Sequence, residues 1–260
     1  MIPYLDFATF TIAGMQFHTF GLLVALGVIA GHAVVVKRAK SLGLGPPQQI
    51  DLFVLCVFAG GFFFGHLFDV LAYHPMVAVR DPLELVKIHH GLSSFGGVAG
   101  AFIGGLSYIH VKKVDPWVYT DLCTYAFPVG WLFGRAGCAV AHDHKGHLTT
   151  SWLAVRFPDG ARYDLGLIEF ALTPLLLALV VVVSRRTARP GMISGALAVA
   201  YALLRFPLDF MRATDLGPEG DVRHLGLTPA QWACFVLLSV GLWALQTSRT
   251  REPYAAPTKA

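Results

Sequence analysis

The chain has 260 residues, 55% of them hydrophobic and 14% charged, with a mean hydropathy of +0.59 and a formal net charge of +4. That balance excludes an ordinary water-soluble domain, in which about 45–50% of residues are apolar and about 25% charged. It also argues against nucleic acid as a partner, since no basic segment is interleaved with aromatics; the small positive excess suits membrane topology and the anionic headgroups of membrane lipids.

Seven stretches approach the roughly 20 apolar residues needed to cross a hydrocarbon core: about 17–36, 50–73, 94–111, 121–141, 165–184, 192–211 and 229–246. The expected fold is therefore all-α, a polytopic membrane protein of seven transmembrane helices. Residues 1–248 are expected to form a single membrane domain, and 249–260 a short cytoplasmic tail.

The first span opens at His18. It has no preceding Lys or Arg and no following small-residue cleavage pattern, so it reads as a retained helix and not a secretory signal. The second carries His66 and Asp69 three residues apart, placed to pair or to face a cavity. His89 and His90 precede the third span. Glycines at helix-packing spacing recur in Gly27-x-x-x-Gly31, Gly61-x-x-x-Gly65, Gly96-x-x-x-Gly100-x-x-x-Gly104 and Gly130-x-x-x-Gly134, where helix backbones can approach closely.

The fourth span contains Arg135 and is followed by the polar segment 142–164, expected to be an external loop. Within it Ser151 to Asp164 alternates apolar and polar residues around Pro158-Asp159-Gly160, which predicts a short hairpin. The sixth span carries Arg205, Asp209 and Arg212 at i, i+4 and i+7, on one helix face, with Pro207 expected to bend the helix. Arg223-His224 precedes the seventh. Cys56, Cys123, Cys138 and Cys234 lie in or beside apolar spans, with neither a disulfide framework nor a zinc-ribbon spacing.

Alternate connections hold 11 Lys and Arg against 7 on the other side. The positive-inside rule then puts the N-terminus outside and the C-terminus in the cytoplasm. The histidine-rich connections all fall on the outer side.

A charge at the centre of a membrane helix costs about 2.5–3.5 kcal/mol even on lenient scales, so such groups face a polar cavity or a partner. Arg135, Arg205, Asp209 and Arg212 thus mark a buried polar site with excess positive charge. Guanidinium groups hold phosphate through paired hydrogen bonds, which makes a phospholipid headgroup the natural ligand. The competing reading is an internal ion pair that fixes helix packing; Arg135 counts against it, having no carboxylate in its own span.

These positions carry a family resemblance through nearly the whole chain. Phe17-His18-Thr19-Phe20-Gly21 is similar to a His-Trp-Tyr-Gly segment, and Gly91-Leu92-Ser93-Ser94-Phe95-Gly96-Gly97 to a Gly-Leu-Ser-Phe-His-Gly-Gly loop. Gly134-Arg135-Ala136-Gly137-Cys138 resembles a Gly-Arg-x-Gly-Asn signature. Arg162 to Glu169 resembles an Arg-His-Pro-Ser-Gln-Leu-Tyr-Glu segment, and Arg205 to Arg212 an Arg-x-x-x-Glu-x-x-Arg segment. All five belong to the prolipoprotein diacylglyceryl transferases, which move diacylglyceryl from phosphatidylglycerol to the thiol of a lipobox cysteine in a prolipoprotein signal peptide.

The resemblance implies a bacterial inner-membrane transferase without a cofactor, and phospholipid binding by Arg135, Arg205 and Arg212 together with His18, Gly96 and Gly97. Phe20 stands at the family's tyrosine, Phe95 at its histidine, Cys138 at its asparagine and Asp209 at its glutamate. Since Phe95 cannot take a proton, another group must serve as base.

Cys138-x-x-x-His142-Asp143-His144 offers one. Either histidine can be the general base, oriented by Asp143, alongside Arg205 and Asp209 as catalytic residues. Competing readings are a metal site of Cys138, His142 and His144, a Cys138 nucleophile paired with His142, and plain interfacial polar residues. Cys138 and His142 would share a helix face if the fourth span continues that far. Beyond the transferase stand two alternatives: a catalytically altered relative that binds phospholipid or lipoprotein, and a transporter or channel. The transporter requires a polar route to the cytoplasm, and the inner halves of spans four and six are apolar.

Overall fold

The computed structural model describes residues 1–5, 7–12, 14–87, 91–216 and 223–254; His89 and His90 lie outside them. The chain divides into two compact units, residues 36–119 and residues 1–35 with 120–254.

Among the described residues seven long helices carry the apolar sequence: α1 (Thr19–Ser41), α2 (Pro47–Phe68), α4 (Ser94–Lys112), α5 (Pro116–Ala141), α6 (Leu165–Arg186), α7 (Met192–Leu208) and α8 (Pro229–Ser248). Five of them, all but α4 and α5, are long and apolar enough to cross a membrane. The protein is a mostly helical, multi-pass membrane protein.

The segments before α1 and between α5 and α6 contain strands, and the all-α expectation needs correcting there. Residues before the first helix form β1 (Ile2–Pro3) and a hairpin of β2 (Thr9–Ile12) with β3 (Met15–His18). His18 therefore ends an exposed strand instead of opening the helix. Period-2 alternation in Thr9–His18 gives the chain a pleated rather than a helical choice.

The segment expected as an external loop forms β4 (Lys145–Leu148), β5 (Val155–Phe157) and β6 (Gly160–Asp164). The predicted turn at Pro158-Asp159 joins β5 and β6 antiparallel, pairing Val155 with Arg162 and Phe157 with Gly160. With β1 parallel to β5 and β4 antiparallel to β6, the sheet order is β1-β5-β6-β4.

In residues 36–119, α2 and α4 lie in backbone contact. A Cβ at Gly100 would sit 2.2 Å from the Gly60 carbonyl oxygen, and one at Gly104 2.0 Å from the Cys56 oxygen. The rings of Phe53, Tyr108 and Tyr119 pack together at tilted and edge-on angles beside this seam, and the Tyr108 hydroxyl donates to the Gln49 carbonyl at 2.9 Å. α2 ends in a widened π turn, Asp69–Tyr73, followed by α3 (Pro75–Arg80) and a tight turn, Pro82–Leu85. His66 does not pair with Asp69: its Nε2 meets the Glu84 carbonyl at 3.0 Å, while Asp69 lies 4.0 Å from His74.

In the other unit α7 lies between α6 and α8, around a core of Leu176, Val180, Ile193 and Leu197. Asp121 of α5 accepts from the Gly191 and Ser194 backbone at 2.8 Å each and from the Tyr254 hydroxyl at 2.6 Å. That carboxylate ties the α6–α7 turn to the chain's last described residues.

Candidate active site

The first turn of α6 organises the site. Asp164 ends β6 and caps α6, accepting from the Leu167 N–H at 3.1 Å. One residue inside the helix, Gly166 touches α5: a Cβ there would lie 2.9 Å from the Cys138 carbonyl carbon. This approach sets Glu169, the only carboxylate in α6, opposite the arginines.

Glu169 is 5% exposed and accepts from Arg205 Nη1 at 2.5 Å, while its other oxygen lies 3.0 Å from Arg135 Nη2. That second contact is an ion pair by distance and lacks hydrogen-bond geometry. Arg205 also meets Asp209 at 2.5 Å, and Arg212 Nε donates to the same Asp209 oxygen at 3.0 Å. The Thr228 hydroxyl donates to the second Asp209 oxygen.

Thr228 is at the same time the N-cap of α8, in a reciprocal capping box with Gln231, whose amide donates to the Phe206 carbonyl at 3.1 Å. The helix face expected for Arg205, Asp209 and Arg212 is present as a contact, although α7 gives way to a tighter turn, Asp209–Met211, two residues after Pro207.

Arg135, Glu169, Arg205, Asp209 and Arg212 thus form one chain of alternating charge, three cations against two anions. Arg135 does have a carboxylate, but it comes from another helix. Its guanidinium carbon also lies 4.4 Å from the centroid of the Trp131 ring, and its buried Nε has no hydrogen-bond partner among the described residues. Beside the charges lies a small cleft lined by Trp131, Glu169, Thr173, Tyr201, Leu204 and Arg205. Charged at one end and apolar along its walls, it matches an amphiphile with an anionic head.

Cys138 sits in the last turn of α5, its Sγ 3.7 Å from Arg135 Nη1. His142 does not share its helix face. The helix stops at Ala141, and His142 takes a left-handed φ of 52° that turns its ring away. Nδ1 of that ring meets Asp164 at 2.5 Å and Nε2 the Leu5 carbonyl at 3.1 Å, with Tyr4 and Phe157 packed on its faces. Both ring nitrogens are engaged, and the orienting carboxylate is Asp164, not Asp143.

Asp143 instead lies 3.7 Å from His144 Nδ1. The metal-ligand trio is likewise corrected: Cys138, Asp143 and His144 bring their ligand atoms within 4.8 Å of one another, and His142 is not among them. Burial holds the His144 imidazole below its ordinary pKa, helped by Arg135 and Arg212 and opposed by Asp143. A neutral imidazole is free to accept a proton or a metal ion.

Phe20, from the first turn of α1, lies against Gly137, one residue before Cys138. Gly96 and Gly97 belong to the α2–α4 seam, where a Cβ at Gly96 would meet the Phe64 oxygen at 2.4 Å. His224 is held in a turn with Leu227.

Arg162 braces the sheet above the site. It makes a two-pronged pair with Asp215 at 2.9 and 2.7 Å and donates to Asp159 at 2.9 Å. The hydrogen bond from Arg162 lowers the Asp215 pKa below the ordinary carboxylate value. A carboxyl depressed in the folded state stabilises it above the unfolded pKa of about 3.9 and loses that contribution as pH falls through the folded value. Protection of the β6 amides, after correction for the intrinsic pH dependence of exchange, is therefore expected to stay constant from pH 8 to 5 and to fall below pH 4. Asp215→Asn should show the lowered protection already at pH 7.

The chain matches the family model described as prolipoprotein diacylglyceryl transferase over residues 8–247. This protein belongs to that family. A phosphatidylglycerol--prolipoprotein diacylglyceryl transferase of Nitratidesulfovibrio vulgaris is 32% identical to it over 254 residues, 95% of each chain. The protein of the same name from Geobacter sulfurreducens is 29% identical over 94% of this chain and 93% of its own. That of Mannheimia succiniciproducens is 30% identical over 82% of each.

Within this transferase family the sequence segments that suggested the resemblance sit together unevenly. Arg135, Arg205, Asp209, Arg212 and the Arg162–Glu169 segment converge in the unit of residues 1–35 and 120–254, as do Phe20 and Cys138. Glu169 was reachable from sequence only as the last member of its segment; the stronger signal was a lone carboxylate in an otherwise apolar helix.

Proposed function

We propose that the protein transfers the diacylglyceryl group of phosphatidylglycerol to the thiol of a lipobox cysteine in prolipoprotein signal peptides, forming a thioether. The observation that carries this reading is the buried arginine–carboxylate chain, with a cleft beside it that is charged at one end and apolar along its walls, in a member of this family.

The chemistry needs two things. Negative charge develops on the leaving glycerol phosphate, and the incoming thiol, with a pKa of about 8.5, is mostly protonated at neutral pH. Arg135, Arg205 and Arg212 answer the first need. Held by Glu169 and Asp209 before substrate arrives, they require no reorganisation when charge appears, and such preorganisation gives electrostatic catalysis its strength. The Cys138, Asp143 and His144 corner answers the second, one guanidinium away from the phosphate site. His142, with both ring nitrogens occupied, is a positioning residue that joins the end of α5 to the start of α6.

The same reading places seven spans in the bacterial inner membrane. It makes residues 1–248 the membrane part and starts the tail at 249, with the N-terminus outside and the C-terminus cytoplasmic. Support comes from the excess of Lys and Arg in alternate connections and from the length of the apolar helices. The sheet and the site would then face the compartment where lipoprotein precursors emerge.

The test is transfer of labelled diacylglyceryl from phosphatidylglycerol to a lipobox peptide by the purified protein. Wild type is expected to yield thioether product, with Arg135→Ala and His144→Ala each lowering the rate by about 100-fold or more. A folded wild type that binds phosphatidylglycerol and yields no product would overturn the reading in favour of a binding-only relative.

A further inference from the structure

The corner at the end of α5 holds more than a base. Cys138 Sγ, an Asp143 carboxylate oxygen and a His144 ring nitrogen lie within 4.8 Å of one another, the only such trio of metal-ligating groups among the described residues. The left-handed His142 between them reverses the chain after Ala141, so that residues 143 and 144 return over the last turn of the helix that carries Cys138. The Leu165 N–H holds the His144 carbonyl at 3.0 Å, which fixes where the reversed segment ends.

Three properties of this trio suit a cation. A zinc-class ion, with bonds of about 2.0–2.3 Å, keeps its ligand atoms about 3–4 Å apart, so rotations of the half-exposed Asp143 and His144 side chains close the set around a buried sulfur. The chemistry of the donors, thiolate with imidazole and carboxylate, is that of borderline-soft divalent metals and not of magnesium or calcium. Three protein ligands leave the fourth tetrahedral position open, the arrangement of catalytic zinc as opposed to structural zinc.

Arg135 Nη1 lies 3.7 Å from the sulfur. A divalent ion held by one thiolate and one carboxylate is locally neutral, so it sets a balanced group beside that guanidinium.

We infer that Cys138, Asp143 and His144 bind a divalent, zinc-class metal ion whose open fourth position takes the incoming thiol. The metal site stands on its own geometry; the thiol's role rests on the transferase reading. On binding, the thiol loses its proton to water, since a metal-coordinated thiol is deprotonated outright. The sulfur lone pair then forms the S–C bond to the glycerol carbon of the diacylglyceryl group. The C–O bond to phosphate breaks and its electron pair departs with glycerol phosphate, whose additional negative charge balances the released proton. No oxidation or reduction occurs, and the ion is unchanged.

The full-length protein in detergent, stripped with a chelator, would be titrated with Co²⁺ while the sulfur-to-cobalt charge-transfer absorption is followed. One Co²⁺ per chain is expected, with the absorption lost in Cys138→Ser and affinity at least about tenfold weaker in Asp143→Asn. Asp143 is exposed enough for that second variant to fold normally. A lipobox peptide should intensify the band by adding a second sulfur. No charge-transfer band, or equal affinity in wild type and Asp143→Asn, overturns the metal site. Transfer that persists undiminished in the stripped protein overturns the thiol-binding role. A cobalt band in a protein that transfers nothing, stripped or zinc-loaded, supports the metal site and sinks the transferase reading instead.

Discussion

Glu169→Gln is expected to reduce diacylglyceryl transfer by about 100-fold or more and to cost about 3–5 kcal/mol of stability. The carboxylate is 5% exposed and lies between two arginines that are themselves 8% and 6% exposed. Its amide isostere keeps the volume but removes one of only two negative charges in the chain of five. Arg205 retains the Asp209 carboxylate, whereas Arg135 keeps uncharged neighbours such as the Trp131 face, Tyr201 and Cys138, so Arg135 is the residue released.

A guanidinium left unbalanced at this depth either draws water into the cleft or moves, and in both cases the preorganised clamp is lost. The experiment is steady-state transfer together with thermal unfolding in the same detergent. Asp209→Asn serves as the comparison, because Thr228 and Arg212 still hold the far end of the chain in that variant. Wild-type transfer by Glu169→Gln would show that the carboxylate is dispensable and that the arginines are positioned by packing alone.

Gly104→Ala is expected to destabilise the protein by about 3 kcal/mol, at the upper end of overpacking effects, and to lower its thermal midpoint by roughly 6–12 °C. The added methyl would stand 2.0 Å from the Cys56 carbonyl oxygen, a backbone atom that can yield only by moving the whole of α2. Gly31→Ala in α1 is the matched control: nothing lies within 4 Å of its Cβ position, so the exchange should be neutral or gain up to about 1 kcal/mol from helix propensity. Unfolding of both variants beside wild type separates the two causes. Equal midpoints for Gly104→Ala and wild type would mean that α2 and α4 are not in backbone contact.

The glycine spacing shows how local pattern and tertiary outcome diverge. Gly96, Gly100 and Gly104 all meet α2, and Gly27 meets α5 at the Gly130 oxygen, 3.0 Å from its Cβ position. Gly31 and Gly134 carry the same four-residue spacing, yet no other helix among the described residues comes within 4 Å of their Cβ positions. A small-residue repeat permits close approach on one face of a helix, but whether a partner uses that face depends on where neighbouring helices are led by their connections.

Apolar runs, internal charges and the turn at Pro158-Asp159 were legible in the chain alone, because each reflects an interaction within a few residues or with the surrounding solvent. Lipid demands long apolar helices, and a charge inside one demands a partner. Those demands identified Arg135, Arg205, Asp209 and Arg212 without any coordinates. They did not identify which partner each would find: Glu169 meets Arg205 across 36 residues of sequence, and no pattern in either helix encodes that distance.

The pairing follows from the close approach of α6 to α5 at Gly166 and from the Asp164 cap that sets where α6 begins. His142 and His144 divide in the same way. Two residues apart and chemically identical, they are separated in role by one left-handed φ, which commits the first to Asp164 and swings the second over Cys138. Burial cost and periodicity act along the chain and can be read from it; the choice among equally charged or equally basic neighbours is made by backbone geometry and helix contact, which exist only once the chain has folded.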